Sequence, residues 1–144
     1  MTLKTSYMGF ELKNPVIAGS SPLSGSYDGV RALEDHGAAC VVMHSLFEEQ
    51  LEKESRALEH FLRRGCESYA ESLSYLPEPA SFTNLDAEHY LEEITALKGA
   101  LSIPLIASIN GVSPGGWIRY AKKLQEAGAD GIELNITFIP ADSS

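Results

Sequence analysis

The sequence predicts an α/β fold in which parallel strands alternate with helices, as in the N-terminal half of a (β/α)8, or TIM-type, barrel. Four short apolar runs at 15–19, 40–43, 104–109 and 131–134 do not alternate with polar residues, which is typical of parallel strands covered on both faces. The chain also repeats itself: residues 33–44 match 124–135 at an offset of 91, and 15–18 match 104–107 at an offset of 89. Repeated strand–helix units fit a barrel or an open doubly wound sheet.

The elements follow in order from the N-terminus. Residues 3–12, with Met8-Gly9 at the turn, predict a small hairpin ahead of the first strand, placed to cover the barrel floor. A helix over 27–36 ends at Gly37, because glycine suits the left-handed turn after a helix. Residues 46–85 are predicted to be a helical insertion after the second strand.

Two further helices are predicted in the second half of the chain. Asp86 is the expected cap of the first, whose apolar stripe consists of Tyr90, Ile94, Leu97 and Leu101. Ser113 and Pro114 are the expected start of the second, and Gly128 its end.

Length and charge restrict the possible classes. A full barrel needs ~250 residues, so 144 residues ending after a fourth strand predict one partial barrel domain over 1–144. With 11 basic and 20 acidic residues the net charge is −9, which disfavours nucleic acid and anionic membranes as partners. Cys40 and Cys66 lack metal-ligand spacing, and no metal site is predicted. Without a targeting or membrane segment, a cytoplasmic protein is expected.

Every predicted strand has hydrogen-bonding side chains at or just after its carboxyl end, and the carboxyl ends of parallel strands share one edge, where ligands bind. They are Ser20, Ser21, His44, Ser45, Ser108, Asn110, Asn135 and Thr137. These neutral groups with one imidazole suit a polar heterocycle better than a bare phosphate. Each alone is also explained as a turn or cap residue, and His44 as a hydrogen-bonded structural histidine. Glu133 shares the strand phase of Asn135, so it is expected to face the barrel interior and to need a partner.

Several runs of the sequence resemble the dihydroorotate dehydrogenase family of FMN-dependent barrels. They are residues 9–16, 18–20 and 133–135, and the runs 44–50, 74–79 and 110–117 look like its divergent bacterial dihydroorotate dehydrogenase-like branch. The resemblance covers the whole chain but only the N-terminal half of a family member. It implies a (β/α)8 barrel with FMN at the carboxyl mouth and a role related to pyrimidine biosynthesis.

The resemblance also implies roles for individual residues. Ala18, Gly19 and Ser20 would lie along the flavin and its ribityl chain. His44 stands where the family has a flavin-contacting lysine, with Ser45 beside it. Asn135 would touch flavin and substrate. Apart from the resemblance, Asn110 at the end of the third strand is also predicted to bind the substrate.

Three departures from the family pattern bear on its reaction. Phe138 occupies the position of the usual Cys or Ser base, so the catalytic residue is unknown. His44 replaces a permanent cation by an imidazole that is mostly neutral. The N-x-x-G-L-x-N loop that holds orotate in the family is missing. The comparison therefore supports flavin chemistry better than orotate specificity.

The leading hypothesis is an FMN oxidoreductase of this kind, acting on CH–CH groups of a small molecule and present as its N-terminal half. The second is a non-catalytic half-barrel or assembly subunit, pairing with itself or with a C-terminal half, because a half-barrel leaves strand edges unpaired. The third is an open α/β phosphoacceptor-type module, which needs acidic residues where Ser20 and Ser21 stand. On the leading hypothesis the 144-residue chain alone is expected to be inactive.

Overall fold

The computed structural model describes residues 3–49, 85–111 and 114–136. Six strands and three helices are assigned within these ranges. The elements are β1 Thr5–Tyr7, β2 Phe10–Leu12, β3 Ile17–Ala18, α1 Tyr27–Asp35, β4 Cys40–Phe47, α2 Leu85–Ala100, β5 Leu105–Asn110, α3 Pro114–Glu126 and β6 Gly131–Leu134. A single 3-10 turn, Pro22–Ser24, precedes α1.

The four predicted core strands form one parallel sheet in the order β3-β4-β5-β6. Each strand therefore pairs with the next one along the chain, which confirms the predicted neighbour order. A doubly wound sheet would instead reverse its strand order and place β5 or β6 beside β3. The architecture is α/β and compatible with half of a TIM barrel, and the described strands form an open sheet rather than a closed barrel.

The main core lies on the side of the sheet that the helices cover. Val41, Leu105 and Ala107 of the sheet pack there against Val30 of α1 and Ile94 of α2. Tyr90 and Leu97, on the predicted stripe of α2, are also buried in this core, and Leu101 lies just beyond the helix and is partly buried. Burial of this apolar stripe is what orients α2 on the sheet.

The predicted C-terminal ends of α1 and α3 are confirmed. Ser26 begins α1 by accepting a hydrogen bond from the Gly29 N–H at 3.2 Å. Gly37, at φ 102°, and Gly128, at φ 98°, follow α1 and α3 in the left-handed conformation. Residues with a Cβ rarely adopt this conformation, so glycine ends both helices without strain.

The opposite side of the sheet, called here the open face, carries a smaller apolar cluster at its amino end. Cys40, Val42 and Ile106 pack there against Leu12 and Phe10 of the antiparallel β1–β2 hairpin. The hairpin therefore covers the end of the sheet opposite to the predicted site. Cys40 is fully buried, and this burial raises the pKa of its thiol.

The structure corrects three predicted boundaries. The second strand runs to Phe47 rather than Met43, so His44 and Ser45 lie inside β4 and the insertion cannot begin at Leu46. The reason is a bulge, described below, that allows polar residues within the strand. Helix α2 begins at Leu85, which places Asp86 inside its first turn and not at its cap. The first strand is limited to Ile17–Ala18.

Some predictions fall outside the described residues. These are the insertion from residue 50 to 84, and Cys66, Ser113, Thr137 and Phe138. Among the helices of the described ranges, none has the length and apolarity needed to cross a membrane.

Candidate functional site

A β-bulge in β4 shapes the carboxyl end of the open face. Val42 pairs with Ile106, but the next aligned pair is Ser45 with Ser108, so three steps along β4 match two along β5. Such an extra residue bends a strand and re-aims the side chains that follow it. Ser108 is two residues after Ile106 and shares its face, and the extra residue brings Ser45 to that same face.

The hydroxyl of Tyr90 satisfies the backbone at this bulge from the helix side. It donates to the His44 carbonyl at 2.9 Å and accepts from the Ser108 N–H at 3.2 Å. The Tyr90 side chain is buried, and this burial raises the pKa of its phenol well above the ordinary value. The hydroxyl therefore stays protonated and able to donate. Tyr90 holds β4 and β5 together at the point where their ladder is irregular.

A row of polar side chains, called here the serine chain, crosses the open face on four successive segments. Its members are Ser20, Ser45, Ser108 and Glu133. The Oγ–Oγ distances are 3.4 Å from Ser20 to Ser45 and 2.8 Å from Ser45 to Ser108. Ser108 then donates to Glu133 Oε1 at 2.7 Å.

The serine chain differs in exposure along its length. Ser108 is fully buried and Ser45 is half-buried, whereas Ser20 and Glu133 are exposed. Within the described residues, the partner of Glu133 is the Ser108 hydroxyl, which donates a hydrogen bond to its carboxylate.

His44 lies at the bulge but contacts the other side of the sheet. Its ring packs edge-on against Tyr90, with centroids 4.9 Å apart, and its Nδ1 lies 3.4 Å from the Ser24 carbonyl. Ser24 is itself fully buried. These contacts match the structural explanation of His44, and its contact with a flavin stays a prediction.

The remaining predicted residues lie at the carboxyl edge. Gly19 is exposed, and a Cβ built on it would meet nothing within 4 Å. Ala18 packs partly against the main core. Asn110 ends β5 beside Phe47, and the Asn135 N–H donates to the Ile109 carbonyl at 2.8 Å. Gly19, Asn110 and Asn135 therefore follow or end the strands at this edge, as predicted, and their ligand roles stay predictions.

Two close approaches hold the start of α3 beside this edge. A Cβ on Gly111 would lie 2.6 Å from the Trp117 ring, so only glycine leaves room for the indole. A Cβ on Gly116 would overlap the Glu48 carboxylate, which is 1% exposed. A carboxylate at a helix N-terminus is stabilised by the helix dipole. Arg119 Nη2 lies 3.9 Å from the same carboxylate.

Sequence reasoning missed Tyr90 and Glu48 as residues that shape the site. Tyr90 reads as one more apolar position of the α2 stripe, and nothing in the sequence indicates that its hydroxyl reaches a strand backbone. Glu48 reads as an exposed residue of an amphipathic helix. Its one available signal is the Gly115-Gly116 pair at the predicted start of α3, which indicates a close approach there.

The polar side chains of the described residues can be compared with the donor sets of metal sites and with their own hydrogen-bond partners. Within 3–49, 85–111 and 114–136 no three His, Cys, Asp or Glu side chains cluster as metal ligands. In the same ranges every buried side-chain nitrogen or oxygen has a hydrogen-bond partner. What this edge offers a ligand is a set of neutral hydroxyl and amide groups with one carboxylate.

A parallel α/β sheet with polar residues at its carboxyl edge is the arrangement of ligand-binding barrels and open sheets. No family model matches the chain. It is 27% identical over 135 residues to the protein named dihydroorotate dehydrogenase B (NAD(+)), catalytic subunit, of Thermoplasma acidophilum, covering 94% of this chain. Over 36 residues, 25% of this chain, it is 53% identical to the putative dihydroorotate dehydrogenase A (fumarate) of Aeropyrum pernix.

These similarities confirm the resemblance to dihydroorotate dehydrogenases that the motifs indicated. The matches extend over 41% and 12% of the lengths of these two relatives. The chain thus spans less than half of the curated relatives it matches.

Proposed function

We propose that this chain forms the flavin-ring side of an FMN-dependent, cytoplasmic oxidoreductase of the dihydroorotate dehydrogenase-like kind. The reaction class is dehydrogenation across a CH–CH bond of a small molecule, related to pyrimidine biosynthesis. The observation that carries the proposal is the serine chain beside Asn110 and Asn135 at one carboxyl edge. The similarity to the two dihydroorotate dehydrogenases adds independent support.

The residues of this edge fit a flavin ring. An isoalloxazine is planar and has hydrogen-bond donors and acceptors along one rim, which hydroxyl and amide groups complement. The exposed backbone at Gly19 leaves space for close approach, because no atom lies where a side chain would stand. Exposed Phe47, next to Asn110, offers apolar surface at the same edge.

The residues at this edge would contact different parts of the flavin and substrate. Ala18, Gly19 and Ser20 would lie along the flavin, with His44 and Ser45 nearby, while Asn110 and Asn135 would orient the substrate by their amides. Bound FMN would supply the hydride acceptor. The group that takes the substrate proton is unassigned, because Phe138 at the family's base position cannot accept one. Dihydroorotate itself is therefore a weaker candidate than another CH–CH substrate.

The test is to purify the complete product of the gene that encodes this chain and to measure its bound flavin. Stoichiometric FMN, reduced anaerobically by a CH–CH substrate, is the expected result. Asn135→Ala should lower substrate affinity about tenfold, the equivalent of roughly one hydrogen bond. Lys122→Ala, exposed on α3, should leave it unchanged. A product that holds no flavin contradicts the proposal.

The 144-residue chain on its own is expected to bind FMN poorly and to be inactive. In TIM barrels the phosphate site is frequently built by the loops after strands seven and eight, whereas the described residues of this chain form a sheet of four parallel strands. Losing two charge-assisted hydrogen bonds, at ~1.5–3 kcal/mol each, weakens binding by roughly a hundredfold or more. Titration calorimetry of the chain with FMN measures this, and tight stoichiometric binding would contradict it.

A non-catalytic assembly subunit is the second candidate, favoured by the edge of the sheet at β6. Within the described residues β6 pairs with β5 alone, and Leu134 and Ile136 beside it are 52% and 83% exposed. Exposed strand edges favour pairing with another strand. This candidate predicts a homodimer that contains no flavin, detectable by light scattering of the purified chain.

A further inference from the structure

The number of hydroxyl protons in the serine chain determines which of its groups donates and which accepts each hydrogen bond. A carboxylate accepts hydrogen bonds and a serine hydroxyl donates only one. Ser108 gives its proton to Glu133, so toward Ser45 it is an acceptor. Ser45 must therefore donate its own hydroxyl proton to Ser108. The Ser45 oxygen can then only accept a further hydrogen bond, either from Ser20 or from a ligand.

We propose that Glu133 sets the hydrogen-bonding polarity of the site, so that a ligand over Ser45 must present a donor. This inference rests on the proposed function, because it treats the open face as the place where a planar heterocycle binds. Glu133 acts through two serines and is a positioning residue. The ligand class it selects is one with an N–H at its rim, such as a cyclic imide.

The burial of the middle of the chain supports this assignment. Ser108 is fully buried, so water does not compete for its hydroxyl and the direction is not averaged by solvent. Ser45 is half-buried and Ser20 is exposed, so the acceptor end is the accessible one. A ligand that placed a carbonyl oxygen over Ser45 would set acceptor against acceptor and leave its own group unpaired, which is the costly arrangement.

The probes are succinimide and N-methylsuccinimide, which differ by one N–H donor. The 144-residue chain is titrated with each, and NMR follows the side-chain signals of Ser20 and Ser45, because NMR detects even very weak binding. We expect succinimide to bind about tenfold more tightly than its methyl analogue, the equivalent of roughly one hydrogen bond.

The variants separate polarity from packing. Glu133→Leu removes the acceptor and lets the serine hydroxyls reverse their hydrogen bonds. This variant should therefore bind succinimide and N-methylsuccinimide with about equal affinity. Ser108→Ala should do the same while keeping the carboxylate. Glu133→Gln keeps a carbonyl oxygen as acceptor and should restore most of the preference. Glu126→Leu, exposed on α3, is the control and should behave as wild type.

Three results would overturn the inference: equal binding of the two probes, no shift with either, or a preference that survives in Glu133→Leu. The flavin content of the gene product is measured separately. A product without flavin whose chain still prefers succinimide contradicts the proposed function alone. A flavoprotein whose chain shows no preference contradicts this inference alone.

Discussion

Tyr90→Phe tests whether one hydroxyl holds the bulge that shapes the open face. The substitution keeps the ring, its packing in the main core and its contact with His44. It removes the donor to the His44 carbonyl at 2.9 Å and the acceptor of the Ser108 N–H at 3.2 Å. Two buried backbone groups lose this partner at roughly 1–2 kcal/mol each, giving a loss of about 2–4 kcal/mol. For a chain of this size the melting temperature should fall by about 5–15 °C.

Urea unfolding followed by circular dichroism measures the loss, with Tyr27→Phe as the control for deleting an exposed phenol hydroxyl. The control should change the free energy of unfolding by less than about 0.5 kcal/mol. In Tyr90→Phe the amide signal of Ser108 should also shift, because its N–H loses an acceptor. A variant as stable as the control would show that the Tyr90 hydroxyl does not support the bulge, and the reasoning on β4 would fail.

Two other predictions follow from contacts of the helices. Gly116→Ala should lower the free energy of unfolding by about 1–3 kcal/mol, since the added Cβ overlaps the buried Glu48 carboxylate. The control Gly115→Ala, with nothing within 4 Å of its Cβ, should be neutral or stabilising. Equal changes in the two variants would contradict the overlap. Hydrogen bonds from the Ser102 side chain and backbone hold the pKa of Glu34 below its ordinary 4.5. The ionised Glu34 carboxylate therefore stabilises the folded chain by a few tenths of a kcal/mol above pH 4.5, and this stabilisation is lost as the pH falls below that value. The urea midpoints of wild type and Glu34→Gln should accordingly converge on acidification. A difference between the two midpoints that does not change with pH would exclude this linkage.

The strand order was predictable because parallel strands buried on both faces leave a strong signal. Apolar runs such as 40–43 and 104–109 are typical of buried parallel strands, and their repetition with helices between them indicates sequential pairing. Helix ends were predictable where glycine meets a backbone requirement, as at Gly37 and Gly128. Both signals are local, which is why a single sequence carries them.

The bulge in β4 was not predictable, because it depends on contacts between distant residues. Polar residues after Met43 read as the end of a strand, since nothing nearby shows that Tyr90, 46 residues after His44, supplies hydrogen bonds there. The prediction therefore ended the strand too early and aligned His44 with Asn135 by their shared place in the repeat. In the sheet, Ser45 is level with Ser108 and so with Glu133. The extra residue in β4 breaks the equivalence that the repeat suggests.

Packing contacts between distant residues account for parts of the motifs that carry the family resemblance. The run 44–50 and the run 110–117 lie 60 or more residues apart, yet Glu48 of the first meets Gly116 of the second at the start of α3. Gly111, in the second run, leaves room for Trp117 next to Asn110. Parts of these motifs thus have a packing explanation that involves no ligand. The serine chain has no comparable explanation at its exposed end, because packing does not require Ser20 and Ser45 to offer acceptors at the open face. For this reason the case for a binding site rests on the serine chain and the strand-end asparagines more than on the motifs.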